Sequence, residues 1–90
     1  MRPMVSWMTK SDDAILELLD ESNLTIPPMA IAFNIENISR PTVDRRLPRL
    51  EKAGLIKRYD EPRGYTEITQ KGRTYLAGNL SAEELESDAE

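Results

Sequence analysis

The stretch ISRPTVDRRLPRLEKAGLIKRY, residues 38–59, constrains the fold of this chain more than any other. Its apolar positions recur at the spacing of one buried helix face: Val43, Leu47 and Leu50. Ser39 is a favoured N-cap before this run, and Gly54 is a favoured helix stop after it. LIKRYD and GYTEIT then read as two short strands around the tight turn EPRG. The stretch therefore predicts a helix that passes directly into a β-hairpin.

A capping-box pattern, Thr9 to Asp12, predicts the start of a first helix that runs to about residue 21. Its buried stripe is expected to consist of four residues at helical spacing: Ile15, Leu18, Leu19 and Ser22. Asp12, Asp13 and Glu17 are placed away from that stripe. The two aspartates are expected to serve the positive end of the helix dipole.

Prolines and helix caps order the remaining elements. LTI is predicted as a short extended piece, because the residue before Pro27 is biased away from the helix. Pro28 begins a short second helix, PMAIAFN, since the first helical position needs no N–H donor. Thr69 caps a last helix, QKGRTYLAG, and Gly72 inside it indicates that a neighbouring element comes close. The predicted order is helix, short strand, helix, turn, helix, hairpin and helix.

Pro48 lies inside the third predicted helix, which covers about residues 39–53. A proline there removes one N–H donor and clashes with the carbonyl of Asp44, at a cost of roughly 3 kcal/mol in a regular helix. The helix is therefore expected to be kinked at this point, or divided into residues 39–47 and 48–53. The kink either sets the approach of the first half to a partner or is tolerated on an exposed face.

Charge is distributed unevenly along this acidic chain, whose formal net charge is −4. Residues 1–39 carry 2 basic and 6 acidic side chains, residues 40–73 carry 10 basic and 5 acidic, and residues 74–90 carry 5 acidic and no basic. Local sign matters more to a polyanion than the total charge does. The basic middle therefore favours a nucleic-acid partner. The balance of charged residues fits a high-salt cytoplasm, and it fits an ordinary acidic domain equally well.

On a helical wheel the third helix separates its apolar residues from a column of cations. Arg45, Arg49 and Lys52 cluster opposite the buried stripe, and Thr42 and Arg46 flank them. Such a face suits the major groove of DNA, since arginine can bond guanine bidentately and threonine can touch a thymine methyl group. The alternative interpretation is ordinary surface charge on a solvated amphipathic helix.

Several classes of function lack the residues that they need. The chain contains no cysteine and no histidine, so it has no thiol chemistry and lacks the commonest general base and metal ligand. It shows no Gly-rich phosphate loop, nucleophile motif or metal-ligand spacing. We therefore expect no enzyme activity, no cofactor, no metal and no small-molecule ligand. No apolar run reaches the length of a membrane span, and MRPMVSWMTK lacks the marks of a signal peptide, so the expected compartment is the cytoplasm.

SRPTVDRRLPRLEKAGLIKR, the wing turn and ITQKGRTYL together resemble the winged helix-turn-helix family of DNA-binding regulators. ITQKGRTYL is similar to the start of the helix after the wing in MarR-type and PadR-type regulators. WMTKSDDAILELL and YLAGNLSAEELE look closer still to small haloarchaeal winged-helix proteins that resemble a halophage repressor. The resemblance covers about residues 7–80. It implies an α+β, mostly helical winged-helix domain over residues 1–80, with an N-terminal arm, and an acidic tail over 81–90.

The resemblance also implies that the third helix enters the major groove while the wing touches the DNA backbone or minor groove. Carried over by position, Arg40, Thr42, Arg45 and Arg46 read the groove and Arg63 forms the wing tip. The full set of expected DNA-binding residues is Ser39, Arg40, Thr42, Arg45, Arg46, Arg49, Lys57, Arg58 and Arg63. A repressor-like, sequence-specific transcriptional regulator is the leading hypothesis. The alternative is a winged-helix protein–protein interaction module in a transcription or chromatin assembly.

Most members of the winged-helix family are homodimers, and two symmetric copies double the length of DNA that is read. The segments outside the winged core, residues 1–9 and 70–86, hold more apolar side chains than a solvated tail needs. The expected dimer contacts are Met4, Trp7, Tyr75, Leu76, Leu80 and Leu85. In the alternative interpretation, Trp7 and Tyr75 close the core of a single subunit. The expected partners are thus double-stranded DNA and a second copy, with no membrane.

Overall fold

The computed structural model describes residues 8–59 and 64–80. In these ranges the chain forms, in order, α1 (Lys10–Ser22), α2 (Pro28–Asn34), α3 (Arg40–Lys52), β1 (Ile56–Arg58), β2 (Thr66–Ile68) and α4 (Gln70–Leu76). The predicted order is confirmed, including the extended piece before α2, where Ile26 forms an isolated bridge to Thr66. The fold is α+β and mostly helical.

The helices begin at the caps that the sequence supplies. Thr9 and Asp12 form the complete capping box of α1: the Oγ1 of Thr9 accepts the Asp12 N–H at 3.4 Å, and the Oδ2 of Asp12 accepts the Thr9 N–H at 2.9 Å. Ser39 and Thr69 each accept the backbone N–H of the residue three positions on, at the starts of α3 and α4. Because these caps satisfy donors that a helix start leaves unpaired, short sequence patterns were enough to locate them.

The hairpin is short and is tied to the segment before α2. β1 and β2 are antiparallel, with Ile56 opposite Ile68 and Arg58 opposite Thr66. Ile26 and Thr66 exchange N–H···O bonds of 2.9 and 2.8 Å, so the hairpin is anchored on its second side as well. Residues 60–63 of the predicted wing turn, among them Arg63, lie outside the described residues.

One apolar core joins the helices to the hairpin. The large apolar side chains with no exposed surface are Ile15, Leu16, Leu19, Ile31, Val43, Leu47, Leu50, Leu55 and Tyr75. They come from all four described helices and from the segment that leads into β1. The predicted buried stripe of α3 is confirmed.

The buried face of α1 differs from the prediction. Leu16 is fully buried, whereas Leu18 is only partly covered, and Asp12, expected outside the core, has no exposed surface. At about 100° per residue, Asp12 falls between Ile15 and Leu16 on the helical wheel. The buried face of α1 therefore begins one turn earlier than its apolar residues alone indicate.

Pro48 lies within α3 without dividing it. The helix is continuous from Arg40 to Lys52, so of the two expected alternatives, a kink or a division, the division does not occur. Pro48 is itself exposed, while Leu47 and Leu50 on either side of it are fully buried. Packing of both halves against one core offsets the roughly 3 kcal/mol that a proline costs in a helix interior.

Gly72 lies where α4 packs on the hairpin. A Cβ atom built at this position would overlap the carbonyl oxygen of Leu55 and would lie 2.6 Å from the Cγ1 of Ile68. The close approach that the sequence predicted at this glycine is confirmed.

We expect Gly72→Ala to destabilise the protein, although glycine to alanine in an open helix stabilises by roughly 0.5–1 kcal/mol. The added methyl group meets a backbone carbonyl that cannot turn aside, and overpacking of this kind costs about 1–3 kcal/mol. Thermal unfolding measures the effect as a fall of several degrees in the midpoint.

Gln70→Ala is the matched control, because Gln70 lies in the same helix and is exposed. It should change the free energy of unfolding by less than about 0.5 kcal/mol. A midpoint for Gly72→Ala equal to or above that of the unmodified protein would show that this glycine is not a packing site.

Candidate nucleic-acid interface

The outer face of α3 carries exposed cations. Arg45 and Lys52 are exposed and Arg49 is partly exposed. Arg40, at the start of the helix, pairs with Asp44, its Nε lying 3.0 Å from the Oδ1, and both side chains are about half exposed. Exposed pairs of this spacing contribute about 0.3–0.5 kcal/mol. Arg40 can therefore exchange Asp44 for an external anion at little cost.

A short chain of hydroxyl contacts leads from the cap of α3 to Arg45. The Oγ of Ser39 accepts the Thr42 N–H at 3.3 Å and lies 3.0 Å from the Oγ1 of Thr42. The Nη2 of Arg45 donates to that same Oγ1 at 3.4 Å. A bond of this length is weak. Thr42 therefore gives the exposed Arg45 side chain a weak orienting contact.

Arg46 is turned away from the outer face of α3, toward α1. Its Nε and Nη2 donate to the Oδ1 and Oδ2 of Asp12, both at 2.8 Å. The Asp12 side chain has no exposed surface and that of Arg46 is 22% exposed. The hydrogen bond to this carboxylate raises the pKa of Arg46 above its ordinary value, against the opposing effect of desolvation. The structure thus places Arg46 as a tie between α3 and α1.

The wheel positions of the two charged residues could have indicated this contact, although the apolar periodicity alone could not. On the wheel of α3, Arg46 lies about 60° from Val43 in the buried stripe and about 100° from Arg45. Asp12 falls on the buried face of α1. Opposite charges at two inward positions predict a buried pair, because a charge is rarely buried without a partner.

The two cations of β1 have different surroundings. Lys57 is exposed, and its Nζ lies 4.9 Å from the ring centroid of Tyr59. The Tyr59 hydroxyl donates to Glu67, and this bond raises the pKa of Tyr59. Arg58 is mostly covered, with its Nη1 3.8 Å from the Oε1 of Glu51. Of the two, Lys57 is the one that the hairpin presents to solvent.

Three of the expected dimer residues fall within the described ranges. Tyr75 is fully buried, and its hydroxyl donates to the Oδ1 of Asp13 at 2.7 Å. Leu80 is 9% exposed, and Leu76 is partly buried against the same core. Tyr75 and Leu80 therefore belong to the core of one subunit, as the alternative interpretation had it for Tyr75. Met4, Trp7 and Leu85 lie outside the described residues.

Residues 8–59 and 64–80 lack what a metal site or a membrane-spanning helix needs. No group of three or more potential metal ligands is placed to hold an ion there. Among the helices that the structure describes, none combines the length and the apolar character needed to cross a membrane.

Removal of Arg46 is expected to destabilise the fold strongly. Arg46→Ala leaves the buried carboxylate of Asp12 without its partner, and breaking a buried pair in this way costs about 3–5 kcal/mol. Arg45→Ala is the matched control, one position along on the exposed face, and should cost less than about 0.5 kcal/mol. Urea unfolding measures both changes. Equal free energies of unfolding for the two variants would contradict the assignment of Arg46 as a structural tie.

Comparisons with known proteins agree with this architecture. The chain matches the family model described as a winged helix-turn-helix phage repressor over residues 1–88. It is 36% identical to a repressor protein of Halobacterium phage phiH, with 96% of this chain and 98% of that protein covered. The crystal structure of the PhiH1 repressor-like protein from Haloarcula marismortui is similar with a TM-score of 0.75 at 35% identity, over 87% of this chain and 86% of that one. The chain belongs to the winged helix-turn-helix phage repressor family.

Proposed function

We propose that this protein is a repressor-like transcriptional regulator that binds specific double-stranded DNA sequences with the exposed face of α3 in the major groove. The observation that carries the proposal is the separation of the two faces of α3. Three apolar residues of one face are fully buried, while Arg45, Arg49 and Lys52 line the other. Membership of a repressor family makes DNA the natural partner of that face and gives no support to an enzymatic role.

Major-groove reading assigns different tasks to the exposed residues. The groove is about 12 Å wide and admits one helix, and a guanidinium can donate two bonds to guanine O6 and N7. Arg45 suits base reading because it is exposed in the first half of α3 and is oriented by Thr42. Arg40 and Lys57 suit phosphate contacts, which position a protein without reading sequence.

The set of DNA contacts that we propose is narrower than the sequence alone indicated. It keeps Ser39, Arg40, Thr42, Arg45, Arg49 and Lys57 from the described residues, and Arg63 by its sequence position at the wing tip. Arg46 leaves the set because its guanidinium is bound to the buried carboxylate of Asp12, and Arg58 leaves it because its side chain is mostly covered.

The distribution of carboxylates favours DNA over a protein–protein module. Such a module would be indicated if acidic side chains neutralised the outer face of α3. Asp44 pairs with Arg40, and Glu51 pairs with Arg58. Within the described part of the chain, neither Arg45 nor Lys52 forms an ion pair with these or other carboxylates. The centre of the face thus keeps its positive charge.

We further infer a homodimer in a haloarchaeal cytoplasm. One α3 helix reads only a short site, whereas two symmetric copies read a half-site each, about one DNA turn apart. Leu76, at the end of α4, keeps some exposed surface. Both relatives come from haloarchaea or their phage, and the acidic composition suits a concentrated cytoplasm.

Arg45→Ala is expected to weaken binding to the best operator by about 1–3 kcal/mol and to relax the preference at one base pair. The operator comes from selection of bound sequences out of random DNA with the unmodified protein. Titrations of that operator and of a scrambled duplex, at one KCl concentration, then measure the change.

Lys57→Ala is the control for a phosphate contact. It should weaken binding to operator and scrambled DNA equally and reduce the slope of log affinity against log salt by about one for each subunit, hence by about two for the proposed homodimer. Equal losses on both duplexes for Arg45→Ala would remove its base-reading role. Failure of the unmodified protein to bind DNA at every KCl concentration would remove the proposed function.

A further inference from the structure

The orientation of α3 is determined by its contact with α1 as well as by apolar packing. Burial of its apolar stripe determines which side of α3 faces inward, but apolar contacts are non-directional and fix the exact rotation of the helix less sharply than oriented hydrogen bonds do. The two bonds from Arg46 to Asp12, both 2.8 Å long, are directional. A bidentate pair of this kind adds geometric specificity as well as energy. The pair therefore defines how far α3 is turned relative to α1.

The carboxylate that receives these bonds is itself held in place. Asp12 lies in the first turn of α1, and its Oδ2 also accepts the backbone N–H of Thr9 at 2.9 Å. The helix that carries it is anchored by Ile15, Leu16 and Leu19, which have no exposed surface. The reference point for Arg46 is thus a rigid part of the protein.

Rotation of α3 about its axis turns every side chain of the helix by the same angle, and Arg45 is the side chain that we assign to base reading. Arg45 precedes Arg46, and its side chain is exposed. Bidentate recognition tolerates deviations of only about 0.5 Å and 10–20°. Phosphate contacts by flexible cations carry no sequence information and depend much less on such an angle. A loosened α3 should therefore lose base preference before it loses affinity for DNA in general.

We propose that Asp12 and Arg46 are positioning residues that set the base-reading geometry of α3, so that a carboxylate buried in α1 determines sequence specificity. The proposal rests on the proposed function. A positioning role of the pair differs from a purely structural role in one measurable respect, the ratio of operator to scrambled affinity. A structural role predicts lower stability with the ratio of operator to scrambled affinity unchanged in the folded protein, whereas a positioning role predicts that this ratio falls.

Three variants separate the two roles. Asp12→Asn keeps the shape of a buried side chain and removes its charge, without altering any exposed residue. Arg46→Lys keeps the charge and loses the planar fork. Asp12→Asn/Arg46→Met removes both charges and keeps a side-chain oxygen for the Thr9 N–H, so that neither charge is left buried without a partner. The double variant keeps the test decisive where a single variant does not fold.

Asp20→Asn is the matched control. Asp20 is a carboxylate of the same helix whose Oδ1 lies 3.4 Å from the Nε of Arg73, on α4 instead of α3. It removes an arginine–carboxylate contact of α1 and leaves α3 untouched.

The measurement is affinity for the selected operator and for a scrambled duplex, at one KCl concentration and well below the thermal midpoint of each variant. We expect the affinity ratio to fall by roughly tenfold or more in all three variants, the scale of one mismatched base pair. Affinity for scrambled DNA should stay within about twofold, because nonspecific binding comes from phosphate contacts that these changes leave in place. Asp20→Asn should keep the full ratio.

Three results would overturn the inference. An unchanged ratio in folded Asp12→Asn would show that the pair does not set specificity. Recovery of both stability and ratio in the double variant would assign the pair a structural role alone. Tighter operator binding by Asp12→Asn would show that a released Arg46 reads DNA directly. If the unmodified protein showed no preference for any operator, the proposed function itself would be wrong. The selection experiment with the unmodified protein gives that result before any variant is made.

Discussion

Burial of one face of α3 is the constraint on which the rest of the structure depends. Val43, Leu47 and Leu50 have no exposed surface, and full burial of such side chains contributes about 1.5–3 kcal/mol each. Helices α1 and α2 and the hairpin supply the opposing surface. Because α3 is anchored along this one stripe, its opposite face is held outward. The same packing keeps the helix continuous through Pro48.

In this acidic protein the positions of the charged side chains matter more for binding than the net charge does. Asp12 binds Arg46 in the interior, Asp44 pairs with Arg40 at the start of α3, and Glu51 pairs with Arg58 of β1, while the middle of the outer face of α3 retains Arg45. A negative total charge is thus compatible with a positive surface where a polyanion would bind. Screening by salt acts mainly on the exposed groups and leaves the buried pair in place.

The likeness to repressor proteins of haloarchaeal origin and the geometry of α3 support the same interpretation by independent routes. The family is shown by similarity over almost the whole chain. The face of α3 follows from burial and charge alone, without reference to any relative. Both support the proposal of a DNA-binding regulator.

The sequence by itself determined the order of the elements and most of their boundaries. Ser39, Thr69 and the capping box at Thr9 act within one helical turn, and the stripe of α3 repeats over a few residues. Such short-range features predict structure because the interactions behind them are local. Gly72 was also informative, since a glycine inside a helix is costly unless another element comes close.

Only the tertiary structure decided which side chains of α1 and α4 are interior and what Arg46 contacts. Arg46 and Asp12 are 34 residues apart, and Tyr75 and Asp13 are 62 apart. Wheel positions can mark Asp12 and Arg46 as inward-facing charges, but no local pattern says which distant residue each of these groups will contact. Each becomes a buried, hydrogen-bonded group only when two helices are packed at one particular angle. The residue that sequence placed among the DNA readers is therefore the one by which the fold holds α3 to α1.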